Sequence, residues 1–129
     1  MPTPSSFEYA VVRVVPRVDR EEFINAGVIV FCLQQKFLAA KVGVDEPRLV
    51  ALWPSIDVGT VEQHLSAIPR ICAGDLDAGP IAEMPVRERF RWLVSPRSTM
   101  IQISAVHGGL CDHPELTLHR LYQQFVEQA

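Results

Sequence analysis

The residue types best suited to chemistry lie in one arginine-rich segment of the chain. Four of the 12 basic residues fall within eleven positions there, together with hydroxyl side chains and two aromatic rings. The segment contains Arg87, Arg89, Phe90, Arg91, Trp92, Ser95, Arg97, Ser98 and Thr99. A guanidinium group binds phosphate or carboxylate through two parallel hydrogen bonds, and a tryptophan ring stacks on bases and other rings. The segment is therefore the first candidate for a ligand- or partner-binding site.

The same segment has a structural interpretation, which the sequence favours. Arg87 and Arg91 are four residues apart and so share one face of a predicted helix. Glu88 can pair with Arg91, and the arginine stems can cover Trp92. Arg97 follows the helix, where its charge complements the negative C-terminal end. The binding hypothesis rests on six residues, with the histidine as acid or base. They are Arg87, Arg91, Trp92, Arg97, Ser98 and His107.

A second polar group follows the last predicted strand. It comprises His107, Cys111, Asp112 and His113, whose side chains are all able to bind zinc. Their spacing matches no established zinc signature, and no CxxC or HExxH motif accompanies them. We interpret this stretch as a His107–Gly109 turn followed by a capping box formed by Asp112 and Glu115. No metal and no other cofactor is predicted.

The cysteines do not form a complete catalytic set. A thiol nucleophile needs a base that a third group orients. Cys32 lies within a predicted strand and is typical of a small core residue. Cys72 can meet His64 only if Pro69 kinks the chain between them, and Cys111 has histidines nearby without a third member. The sequence also lacks a GxxxxGK[ST] phosphate loop. An enzyme is therefore the less favoured class.

Hydrophobic periodicity predicts the element order β-β-β-α-α-α-β-α. The predicted strands are Tyr9–Val15, Val28–Leu33, Phe37–Val42 and Ser98–Ser104. The predicted helices are a short one ending before Pro54, one capped by Asp57 and ended or kinked by Pro69, one spanning Val86–Val94, and a last one after Asp112. Three strands in close succession favour antiparallel pairing. We expect an α+β fold with a mainly antiparallel four-stranded sheet and helices packed on it.

The residues at the entrance to the second predicted strand indicate an irregular backbone. Asn25 and Gly27 indicate a β-bulge or a backbone at positive φ, and strand geometry explains them more simply than close approach to a ligand.

Length and composition limit the class of protein. The chain has 129 residues, of which 48% are hydrophobic and 21% charged, enough for one packed domain over residues 7–129 after a flexible tail at 1–6. The net charge of -3 argues against a protein that coats nucleic acid. The longest apolar run is too short to span a membrane. Three widely spaced cysteines and no visible secretory signal predict a cytoplasmic location with reduced thiols.

Two longer stretches carry a family resemblance. The first joins Tyr9–Pro16 to Asn25–Cys32, and the second runs over Arg89–Thr99, Ile101-Gln102 and Val106–Gly109. Together they resemble a bacterial domain-of-unknown-function family, number three thousand and thirty-seven, over nearly the whole chain. The resemblance implies no reaction, cofactor or substrate. It does imply a partner, because members are often encoded next to a kinase-like protein that resembles the toxin of a toxin–antitoxin pair.

These observations predict a small accessory module that acts by binding another protein, with a kinase-like protein as the candidate partner. Membrane binding is not expected, nucleic acid is disfavoured, and a homodimer is left open. The alternative is a protein or enzyme that binds a phosphate or nucleotide ligand through residues 87–99 and His107. Convergence of Arg91, Arg97 and His107 on one concave pocket would favour the ligand, whereas their dispersal over the surface would favour a protein partner.

Overall fold

The computed structural model describes residues 4–95 and 99–127. The strands are β1 (Ser5–Val14), β2 (Ile24–Cys32), β3 (Phe37–Val42), β4 (Ile101–Ile103) and β5 (His107–Cys111). The helices are α1 (Glu46–Leu52), α2 (Val58–Ala73), α3 (Val86–Leu93) and α4 (Pro114–Tyr122), and a π-helical turn, Gln123–Glu127, follows α4. Short 3-10 turns lie at Val18–Arg20, Leu76–Ala78 and Pro80–Glu83.

The five strands form one antiparallel sheet with β1 at its centre. On one side β1 pairs with β2, which pairs with β3; on its other side β1 pairs with both β4 and β5. The predicted α+β class is confirmed, but the sheet has five strands rather than four. The His107–Gly109 stretch, which we predicted to be a turn, is extended in β5. A Cβ on Gly109 would lie 2.8 Å from the Phe7 ring, so this glycine makes room for a buried ring instead of turning the chain.

Helices cover both faces of the sheet. Val12 and Val14 point to one face, where they pack with buried side chains of α1, α2 and α3; we call this the α1–α3 face. Phe7 points to the opposite face and packs with Val28, Val30 and Leu121; we call this the α4 face. Burial on both sides explains why β1 is apolar from Tyr9 to Val14, apart from Arg13.

A β-bulge lies where Asn25 and Gly27 predicted an irregularity. Val12 is opposite Gly27 and Arg13 is opposite Asn25, so Ala26 is the extra residue of β2. A Cβ on Gly27 would lie 2.7 Å from the carbonyl oxygen of Lys41, so the glycine allows β3 to approach closely. Strand geometry, with no ligand, accounts for this glycine.

Side-chain caps begin the first two helices. Asp57 accepts a hydrogen bond from the Thr60 backbone N–H at 3.2 Å, as predicted for α2. Asp45 caps α1 in the same way, through Arg48. Pro69 does not end α2, which continues to Ala73 and stops at Gly74 with φ of 74°. Proline removes one helical hydrogen bond, and the buried Ile71 and Cys72 stabilise the turn beyond it.

Two predictions near the termini are wrong. The N-cap of α4 is His113 rather than Asp112, and it makes no side-chain capping bond; Pro114 occupies the first turn, where a missing N–H costs nothing. Ser5 and Ser6, which we assigned to a flexible tail, belong to β1 and pair with β5. β1 is longer than predicted at its N-terminal end, because the residues there pair with β5, whose two glycines predicted a turn.

Candidate functional site

The first part of the arginine-rich segment lies in the amphipathic helix α3, Val86–Leu93, on the α1–α3 face. Phe90 and Leu93 are buried, and the Phe90 ring stacks on that of Phe31 with 4.8 Å between centroids. Arg87 and Arg91 are exposed, and Trp92 is 37% exposed. The helix therefore presents Arg87 and Arg91 to solvent, on the face that their four-residue spacing predicted.

Arg89 differs from the other arginines of this helix because it turns inward. Its Nη1 donates to the Ala82 carbonyl at 3.2 Å and would lie 3.0 Å from a Cβ on Gly74. It thus ties α3 to the end of α2 and to the turn before α3. This is a structural role for one of the four arginines.

Of the residues of the binding hypothesis that the structure describes, Arg87, Trp92 and His107 do not share a cavity. Arg87 lines a depression of about 260 Å³ beside Glu8 and Leu33. Trp92 lines a different one of about 380 Å³, between α2 and the start of β4. His107 belongs to the α4 face, where its ring lies 5.3 Å from that of Tyr9, so the sheet separates it from α3. Arg97 and Ser98 lie outside the described residues.

The cysteines lack the environment of a nucleophile. All three are buried and unpaired. Burial raises the pKa of the Cys72 thiol to about 12, although the nearby Arg89 charge acts in the opposite direction. Burial also raises the pKa of Cys111. At neutral pH Cys72 and Cys111 are therefore thiols, whereas the thiolate is the reactive form.

Metal ligands are not assembled in the part of the chain described here. Within residues 4–95 and 99–127, no three His, Cys, Asp or Glu side chains converge on a site. His107 and Cys111 both belong to the α4 face of β5, but the first is exposed and the second is buried in the core.

The outer edge of β5 is a different kind of candidate site. Hydrogen bonds from Val15 N to Met100 O and from Ser104 N to Val11 O show that odd-numbered residues of β1 bond toward β4 and β5. Tyr9, Phe7 and Ser5 continue this series and lie opposite His107, Gly109 and Cys111. In an antiparallel pair the intervening residues direct their N–H and C=O groups away from the partner. The backbone groups of Gly108 and Leu110 therefore point out of the sheet.

Nothing in the described part of the chain pairs with that outer edge. Among residues 4–95 and 99–127, β1 is the only strand bonded to β5 and the only element in substantial contact with it. Four of its five residues are exposed, and the Leu110 side chain is 69% exposed. The strand also contains no charged residue, although charges commonly protect strand edges from unwanted pairing.

The position of β5 depends on the loop that joins it to β4. Val11 N–H donates to the Ser104 hydroxyl at 2.8 Å, and both residues are buried. The serine side chain thus replaces a backbone acceptor at the irregularity between the two strands. This contact keeps β5 in line with β4 along the same side of β1.

Comparison with known proteins identifies the family and nothing more specific. The family model described as "Protein of unknown function (DUF3037)" matches residues 9–126. The chain belongs to this family. No curated protein and no solved structure matches it. Within the described residues, no helix of this family member is long and apolar enough to cross a membrane.

Sequence reasoning missed β5 and the polar surroundings of Arg13, a residue of the central strand. Two consecutive glycines are typical of a turn, and only the apolar pair Leu110-Cys111 hinted at a strand. For Arg13 the signal was plain, since it is the single charge in the apolar run Tyr9–Val15.

Proposed function

We propose that this domain binds a protein partner by accepting an extended strand of that partner at the outer edge of β5. The observation that carries the proposal is the outward orientation of the Gly108 and Leu110 backbone groups, which have no partner in the described part of the chain. An added strand would take up these donors and acceptors and extend the sheet beyond β5. Strand addition of this kind gives affinity through main-chain hydrogen bonds.

The side chains along this edge suit such an occupant. Leu110 is 69% exposed and Val106 is 38% exposed, so an added strand gains apolar contact at both ends of the segment. Gly108 between them carries no side chain that would hinder approach. The dispersal of Arg87, Trp92 and His107 over separate surfaces also supports a protein partner over a single small-molecule pocket.

For the partner itself we propose the kinase-like protein that the family resemblance suggests, in the bacterial cytoplasm. The domain would then act as an accessory module of that protein, with no catalytic step of its own. The resemblance supports this choice of partner, and the chemistry of β5 supports the mode of binding.

A matched pair of substitutions at Gly108 tests the mode of binding. Gly108→Pro removes the outward N–H, while the bonds of β5 to β1 remain, because those use the neighbouring residues. Gly108→Ala keeps the N–H, and its Cβ has room at 3.6 Å from the Phe7 carbonyl oxygen. The tagged wild type and both variants are each co-expressed with the kinase-like protein, and the retained protein is quantified.

We expect the wild type and Gly108→Ala to retain the kinase-like protein and Gly108→Pro to lose at least nine-tenths of it. Equal retention by all three would contradict binding at this edge. Failure of the wild type to retain it would contradict the choice of partner. Light scattering of the purified domain gives a further check. A wild-type dimer that Gly108→Pro converts to a monomer would assign the edge to a second copy of the chain instead.

A further inference from the structure

Three polar side chains form a row across the middle of the sheet, on the α4 face. Arg13 of β1 lies directly opposite Asn25 of β2 on one side and Gln102 of β4 on the other. Residues directly opposite in antiparallel strands share a face, with Cβ atoms about 4.5–5.5 Å apart. All three are half-buried. The row lies beyond the apolar area that α4 covers around Phe7, Val28 and Val30.

Arg13 is a positive charge without a counter-ion in the described part of the chain. The ion pairs there join Arg17 to Asp19, Arg20 to Glu22 and Arg70 to Asp75. The Nε atom of Arg13 is fully enclosed and has no hydrogen-bond partner among residues 4–95 and 99–127. Arginine side chains keep their proton in proteins, so the positive charge remains. Arg13 is therefore a half-buried cation of the central strand whose charge no described carboxylate balances.

In the described part of the chain, Asn25 and Gln102 accept no hydrogen bond from the Arg13 side chain. The Asn25 amide nitrogen donates to the Phe125 carbonyl at 3.2 Å, and the Gln102 amide nitrogen donates to the Thr99 carbonyl at 3.0 Å. These bonds fix both amides to the backbone on either side of the arginine. The guanidinium carbon lies 4.2 Å from the centroid of the Phe23 ring. Stacking on a ring occupies one face of the guanidinium and leaves its in-plane N–H donors available.

We propose that Arg13 binds an oxyanion, a phosphate or carboxylate group of a ligand, on the α4 face of the sheet. Because Nε is enclosed, the terminal Nη groups of the guanidinium would bond two of its oxygens, and the remaining N–H groups of Asn25 and Gln102 would flank it. Arg17 and Arg20 already pair with acidic neighbours, Asp19 and Glu22, so they do not compete for the anion. This site is separate from the outer edge of β5, and either proposal can fail while the other stands.

The test follows the amide signals of residues 13, 25 and 102 by NMR while inorganic phosphate, and in a second series acetate, is added at constant ionic strength. Arg13→Gln removes the charge, and Arg13→Lys keeps it without the planar fork. Arg17→Gln is the matched control, because it removes an exposed arginine nearby.

We expect saturable shifts in the wild type and in Arg17→Gln, at least tenfold weaker binding in Arg13→Lys, and none in Arg13→Gln. Saturation by phosphate alone would identify a phosphate site, and saturation by acetate alone a carboxylate site. Shifts that do not saturate, or equal affinity in the wild type and Arg13→Lys, would overturn the proposal. If Arg13→Gln does not fold, the Arg13→Lys comparison decides.

Discussion

The two edges of the sheet are built in opposite ways. At β3, α2 packs from one face and α4 from the other, and none of its six residues is exposed. Lys41 places a charge in the strand, with its Nζ 4.6 Å from the centroid of the Tyr122 ring. In the described part of the chain, only β1 makes substantial contact with β5. Four residues of β5 are exposed, and none of its residues is Asp, Glu, Lys or Arg. Charges and covering elements are the usual protection of strand edges, so the unprotected edge is the one available for pairing.

The largest difference should appear when the same residue type is truncated at each edge. Leu38 of β3 is 8% exposed and Leu110 of β5 is 69% exposed. We expect Leu38→Ala to lower the free energy of unfolding by about 2–5 kcal/mol, because it removes buried methyl groups and leaves a cavity. Leu110→Ala should change it by no more than about 0.5 kcal/mol. Urea unfolding of both variants measures this. Similar losses would mean that Leu110 is packed and the β5 edge is covered.

A smaller loss should follow when the attachment between β4 and β5 is weakened. Ser104→Ala removes the acceptor of the buried Val11 N–H, and an unsatisfied buried donor costs about 1–3 kcal/mol. The control is Ser95→Ala, since the Ser95 hydroxyl donates to the Arg91 carbonyl on the surface. That variant should stay within about 0.5 kcal/mol of the wild type. Equal stabilities of the two variants would show that the Ser104 hydroxyl does not hold β5 in place.

The three cysteines should react with a thiol reagent at different rates, depending on whether they lie at the β5 edge or in the covered part of the fold. Cys111 ends β5, whereas Cys32 lies in β2 and Cys72 in α2. An edge strand opens after fewer contacts are broken. A thiol reagent should therefore modify Cys111 first and Cys32 last. Mass spectrometry of a time course gives the order. Modification of Cys32 before Cys111 would contradict the comparison.

Alkaline pH should lower the stability of the folded chain through the buried thiol of Cys72. The Cys72 pKa rises from 9.0 to about 12 on folding, because burial disfavours the thiolate. Between these values the unfolded chain loses the proton and the folded chain keeps it, so stability falls as pH rises from 9 to 12. Cys72→Ala should show a shallower decline than the wild type in melting temperatures measured across this range. Parallel declines would contradict the burial of this thiol.

Local signals in the sequence predicted the elements in the first half of the fold, although β1 and β2 each begin four residues earlier than predicted. The apolar run of β1, the extent of β3 and the Asp57 cap depend on residues close in sequence, and the structure has them as predicted. The pairing of β5 with the start of β1 depends on Phe7 and Gly109, which are about a hundred positions apart. A glycine that makes room for a distant ring has the same local sequence as a glycine in a turn. The open edge could therefore be found only from the sheet topology.

Residue-resolved amide hydrogen exchange tests the open edge most directly. In the free domain, the Gly108 and Leu110 amides should exchange nearly as fast as those of an unfolded chain. The Gly109 amide, which points to β1, should exchange at least a hundredfold more slowly. Adding the kinase-like protein should slow exchange at Gly108 and Leu110 and leave Gly109 unchanged. Protection of Gly108 and Leu110 in the free domain, or no change on adding the partner, would contradict strand addition at β5.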